Sequence, residues 1–100
     1  MDTRTISTGT HGRYLVDIPE PSRGTLVGFH GYQENAAITF DVLRQIAAGR
    51  SIGVVSIQGL HRFYTRANDV IASWMTKEDR QLAIADNVAY VAKVVAGVAD

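Results

Sequence analysis

Two short apolar runs, TLVGFH at 25–30 and IGVVSI at 52–57, stand on either side of a segment whose apolar residues recur at steps of three and four. Nothing else in the chain constrains the fold as much. Both runs lack the alternation of a half-exposed strand, which is the pattern of strands buried on both faces. Between them, Ala36, Phe40, Leu43 and Ala47 share one helical face. The spacing predicts a helix over 35–48, with Asn35 as N-cap and Gly49 as the left-handed residue past its end. Buried strand, helix, buried strand implies parallel pairing.

The flanking segments carry weaker signals. TRTIS at 3–7 and GRYLVDI at 12–18 lean towards strand and are separated by the turn-rich TGTHG, so an N-terminal hairpin is expected. Pro19, Pro21, Ser22 and Gly24 end it. Residues 58–75 show no sustained period and exceed a passive connection, which predicts a functional or mobile loop. Thr76, followed by Lys77, Glu78 and Asp79, reads as a helix start. Leu82, Ala85, Val88, Ala89, Ala92 and Val95 then form an apolar stripe, Tyr90 falls with Asp86 and Lys93 on the polar side, and Gly97 is a stop. The expected order is β-β-β-α-β-loop-α in one domain spanning 1–100.

Composition excludes several function classes. Ten basic and ten acidic residues cancel and are scattered, so no footprint for nucleic acid or an anionic membrane is visible. With no cysteine, disulfides, thiolate metal sites and a cysteine nucleophile are ruled out. The polar N-terminus lacks an apolar signal core and no run is expected to reach the roughly 18 residues of a membrane span, which makes the cytoplasm the default location. No cofactor and no metal are expected. A zinc site from His30, Glu34 and His61 is disfavoured because the His-x-x-x-Glu spacing crosses a loop, not one helix face.

The strongest local signal for chemistry is GTLVGFHGYQENA at 24–36, a buried strand that ends in His30-Gly31 and passes through a polar loop into a helix. Ligand sites in open α/β sheets lie outside the carboxyl ends of strands, and N–H groups of Tyr32 and Gln33 ahead of the first helical turn can face an anion or a developing oxyanion. The order LVGFHGY, ENAAITFDVLRQIA, IGVVSI, the Ser73-Trp74 pair and TKEDRQLAIADNVAYV resembles the α/β-hydrolases, specifically the phospholipase/carboxylesterase branch that includes the acyl-protein thioesterases. The resemblance covers about 24–100. It implies a three-layer α/β sandwich, with an N-terminal hairpin followed by parallel strands and crossover helices. It also implies hydrolysis of a small ester or thioester through an acyl-enzyme, with a Ser-Asp-His triad. Carried over, the backbone N–H of Tyr32 is an oxyanion-hole donor, His30 and Gly31 brace the loop, and Gln33, Trp74 and His61 contact substrate. Two positions depart from the pattern. Gln33 stands where such loops often carry a second glycine, and 58–75 contains no proline.

GRSIG at 49–53 matches the letters of a nucleophile elbow. Its mechanics are reversed, because an elbow needs strand, serine, helix, whereas Gly49 closes a helix and Ile52 opens a strand. Ser51 is therefore rejected as nucleophile, at roughly 16 Å from the carboxyl edge. The family's elbow follows the next strand, so the triad is expected beyond Asp100 and the chain reads as truncated before its nucleophile strand. A further expectation is strand order hairpin, fourth strand, third strand, which leaves the third as an apolar edge and the 100 residues poorly stable alone. The alternatives are a noncatalytic α/β module that binds an anion or partner through 31–35, or a peptidase or acyltransferase on the same fold. A homodimer is left open. Among the remaining side chains, His11 is expected in a solvated turn, and Arg62 and Arg66 are weak candidates for an anionic substrate group.

Overall fold

A computed structural model describes residues 1–99, which form a mixed α/β fold with a three-stranded sheet, a two-stranded sheet and two helices. The central unit is β2 (Thr25–Phe29), α1 (Ala36–Ala47) and β3 (Gly53–Gln58), with β2 parallel to β3 and Val27 opposite Val55. β1 (Arg13–Asp17) pairs antiparallel on the other side of β3, giving the order β1-β3-β2. The central position of β3 explains its composition. All six of its residues are buried.

The two faces of β3 carry different chemistry. Val55 and Ile57 pack with Val94, Tyr90, Val91, Val98 and Trp74, the side of α2 (Arg80–Ala99). Ser56 and Gln58 point the other way, onto the start of α1: the Ser56 hydroxyl donates to the Ala36 carbonyl at 2.7 Å, and the Gln58 side-chain oxygen accepts from the Ala36 N–H at 3.3 Å. The helices therefore lie against opposite faces of the sheet. Gly28 permits the close approach of α1, since a methyl group there would stand 2.7 Å from Leu43 Cδ1 and 2.8 Å from Thr39 Cγ2. Asn35 caps α1 by accepting the Ile38 N–H at 3.0 Å, and Gly49 is left-handed at φ 74°, both as the spacing predicts.

Several expectations are corrected. Residues 1–12 form neither strand nor helix, so there is no N-terminal hairpin. TRTIS offers only Ile6 to bury, and Ile6 is 89% exposed. The presumed loop at 58–75 contains a hairpin of β4 (His61–Tyr64) and β5 (Val70–Ser73), turned through Thr65 and a left-handed Asn68. Thr65 accepts the Asp69 N–H on its side-chain oxygen at 3.1 Å and donates its own N–H to the Asp69 carbonyl at 2.9 Å. The last helix starts at Arg80, four residues after Thr76, because Asp79 is left-handed at φ 51°. It also runs through Gly97.

The face of α2 is the reverse of that expected. Leu82, Val88 and Val95 of the predicted stripe are 52%, 66% and 46% exposed, while Tyr90, Val91, Val94 and Val98 pack inward. Both sides of the helix are apolar enough to pass for an inner face, and periodicity selects the wrong one. The Tyr90 hydroxyl decides the true orientation. It lies 2.8 Å from the Gln58 carbonyl and 3.0 Å from that of Arg13, and accepts from the Arg13 N–H at 3.2 Å. At 20 residues, α2 is also long and apolar enough, by length and composition, to cross a membrane, which corrects the expectation that no segment is.

Candidate functional site

The loop after β2 is a turn closed on itself. The Glu34 N–H donates to the Gly31 carbonyl at 3.2 Å, and the Glu34 carboxylate accepts the Gly31 N–H at 2.7 Å. Between them Gln33 adopts φ 62°, the left-handed conformation that a type II turn demands of its third residue and that normally selects glycine. This is the position where the sequence departs from a second glycine. Residues held in such conformations cluster at ligand sites, where the surroundings over-determine them. With Gly31 and Glu34 N–H groups engaged, those of Tyr32 and Gln33 have no acceptor among the described residues. They sit just ahead of α1, whose positive dipole end favours an anion there.

His30 ties this turn to the end of β3. Its Nδ1 lies 2.8 Å from the Gly31 carbonyl, which only an N–H can satisfy, and its Nε2 accepts the Gly59 N–H at 2.9 Å. Both nitrogens of a neutral, 97% buried imidazole are thus occupied, which leaves neither free to take a proton from a nucleophile. Trp74 stacks on the ring at 5.2 Å between centroids with the planes 28° apart, and donates its indole N–H to the His30 carbonyl at 2.9 Å. It also meets Phe29 edge-on at 5.7 Å. An open apolar groove of about 410 Å³ follows, lined by Phe29, His30, Trp74, Met75, Val88 and Val91.

The β4–β5 hairpin is bonded to the end of the turn and to the N-cap of α1. Its Ala72 N–H donates to the Glu34 carbonyl at 2.8 Å, and the Asn35 side chain donates to the Val70 carbonyl at 3.0 Å. The exposed Tyr32 ring leans towards Phe63, 6.3 Å away. Sequence reasoning missed Glu34, Asn87 and Phe63 as parts of this assembly. Asn87 holds the tryptophan's own backbone, donating to the Trp74 carbonyl at 2.7 Å. The visible signal was the cluster of Glu34 and Asn35 beside His-Gly; Phe63 and Asn87 gave none, because a hairpin and a helix face bring them in from distant sequence.

The structure brings His30, Gly31, Tyr32, Gln33 and Trp74 together. His61 opens β4 as an exposed residue opposite Ser73, and its side chain makes no hydrogen bond among the described residues. Arg62 and Arg66 are exposed on the hairpin, and His11 on the N-terminal segment. Ser51 precedes β3 and its carbonyl accepts the Arg23 N–H, which places it at the amino edge of the parallel pair, opposite the His-Gly turn. Among the described residues no three His, Asp or Glu side chains converge to hold a metal. Comparison with protein-family models, with curated proteins and with solved structures found no match to this chain.

Proposed function

We propose that these residues form the oxyanion-loop portion of a serine hydrolase of the carboxylesterase type, built on a three-layer α/β-hydrolase sandwich and cleaving a small ester or thioester. The observation that carries this reading is the Gly31–Glu34 turn at the carboxyl end of β2, with a left-handed Gln33 and two unengaged N–H groups. In acyl transfer, a serine oxygen adds to the substrate carbonyl and the resulting O⁻ needs fixed N–H donors; one such donor elsewhere is worth about 10² to 10³ in turnover. The Tyr32 N–H takes that role, with His30 as brace and Gln33 and Trp74 beside the acyl group. The reading requires nucleophile, acid and base from residues outside those described, because the sole elbow-like serine, Ser51, lies at the opposite edge.

The test uses the full-length natural protein, a fluorophosphonate label and a short-chain p-nitrophenyl ester. Hydrolysis together with label on a serine in a strand–turn–helix setting is the expected result. Absence of both, with a carboxylate or phosphate still perturbing the Tyr32 and Gln33 amide resonances, overturns it in favour of a noncatalytic anion-binding module. Label on Ser51 overturns it as well.

A further inference from the structure

We infer that Glu34 is the positioning residue of the candidate oxyanion loop, and that through it the β4–β5 hairpin sets which N–H groups the loop presents. The inference rests on reading the loop as an oxyanion site. Three bonds converge on this one residue: its carboxylate takes the Gly31 N–H at 2.7 Å, its N–H closes the turn on the Gly31 carbonyl at 3.2 Å, and its carbonyl receives the Ala72 N–H of β5 at 2.8 Å. The first is a charge-assisted bond, the stronger kind. It is also the shorter of the two that close the turn.

The consequence follows from Gln33. A residue with a side chain prefers right-handed backbone, so the flipped turn persists only while its ends are held. Removing the carboxylate frees the Gly31 N–H and leaves the turn on its longer bond alone. The peptide groups can then rotate, and the unengaged N–H of Tyr32 is no longer fixed. A methyl group on Gly31 would come within 2.6 Å of Glu34 Oε1, so a larger residue there would displace the carboxylate from this clamp. Glu34 touches no substrate in this scheme. It acts through Tyr32 and Gln33.

The experiment compares Glu34→Ala and Glu34→Gln in the full-length protein, reading steady-state ester hydrolysis and the Gly31 amide proton resonance in glycine-labelled samples. For Glu34→Ala, kcat falls roughly tenfold or more while KM stays within about twofold, because an oxyanion donor acts in the transition state and not on the bound ester. Glu34→Gln, which keeps an acceptor oxygen, restores most of the loss. The Gly31 resonance moves upfield in the alanine variant and by much less in the glutamine variant. Unchanged kcat, an equal loss in both variants, or a loss carried by KM overturns the inference. Should the wild type neither hydrolyse ester nor take label, the hydrolase reading fails by itself. The Gly31 resonance still decides the clamp, and an unmoved signal in Glu34→Ala overturns it.

Discussion

The indole N–H of Trp74 donates to the His30 carbonyl at 2.9 Å while the two rings stack 5.2 Å apart, so one side chain holds the His-Gly turn by backbone and by ring together. The two contributions are separable. Trp74→Phe keeps an aromatic cover and deletes the hydrogen bond, at a cost of about 1 kcal/mol. Trp74→Ala removes both and costs about 3 kcal/mol, given that the ring is only partly buried. Urea unfolding followed by circular dichroism measures each; equal losses would show that the stacking contributes nothing.

Gln33 holds a glycine's conformation, and glycine should therefore serve it better. Gln33→Gly is expected to stabilise the protein by about 0.5–1 kcal/mol, the left-handed penalty less the added freedom of the unfolded chain. A β-branched Gln33→Val should cost more than 1 kcal/mol, roughly, in the other direction. Denaturant midpoints decide. A destabilising glycine would mean that the side chain of Gln33 anchors the turn.

Burial raises the Tyr90 hydroxyl's pKa above its ordinary 10.0, against a lowering from the Arg13 backbone contact and the Arg62 charge. The folded chain then keeps this proton at pH values where the unfolded chain has lost it. The stabilisation is complete below pH 10 and disappears as pH rises through the folded value. Tyr90→Phe should cost about 1 kcal/mol at neutral pH, leaving the Gln58 carbonyl without its partner. The gap between wild type and variant should close above pH 10. Melting temperatures across pH 7 to 11 report this, and a gap that widens with pH refutes it.

Gly28→Ala places a methyl group 2.7 Å from Leu43 and 2.8 Å from Thr39, in the seam between β2 and α1. Overpacking of this kind costs about 1–3 kcal/mol. Adding Leu43→Ala to Gly28→Ala should cost less than the sum of the two single losses, because the second change removes one of the two struck side chains. Strictly additive losses in the double variant would place the strain elsewhere.

The βαβ unit was legible because period and capping agree, but β2, expected to be buried on both faces, is an edge strand with Val27 and Phe29 exposed. Ala36, Phe40, Leu43 and Ala47 face the sheet, Asn35 caps, and Gly49 turns the chain, all local consequences of residue type. The order of the three paired strands agrees with what the resemblance implies, although the expected N-terminal hairpin is absent, and the most continuously apolar run, β3, takes the centre. The β4–β5 hairpin was not legible. HRFY and VIAS are each four residues long, and beyond their pairing to one another they are held by distant contacts, a bridge from Ala72 to Glu34 and a bond from Asn35 to Val70. The orientation of α2 failed for another reason. A helix apolar on two sides is oriented by a polar atom that needs a partner, and the Tyr90 hydroxyl finds Gln58 and Arg13. Within the candidate site, His30 and Gly31 stood out in sequence, whereas the role of Glu34 depends on a left-handed Gln33 that no residue preference announces.

The hairpin is fastened along its length: Gly59 lies so close to the Ser73 carbonyl that a methyl group would sit 2.6 Å from it, and Ala72 and Val70 are bonded to Glu34 and Asn35. The segment beside the His-Gly turn is thus ordered before any ligand arrives. Fixing a free backbone costs roughly 1–2 kcal/mol per residue, and here folding has already met that cost. A ligand that docks against Tyr32 and Phe63 gives up little of its binding free energy to chain ordering. Its arrival should be limited by diffusion and desolvation, not by closure of this hairpin.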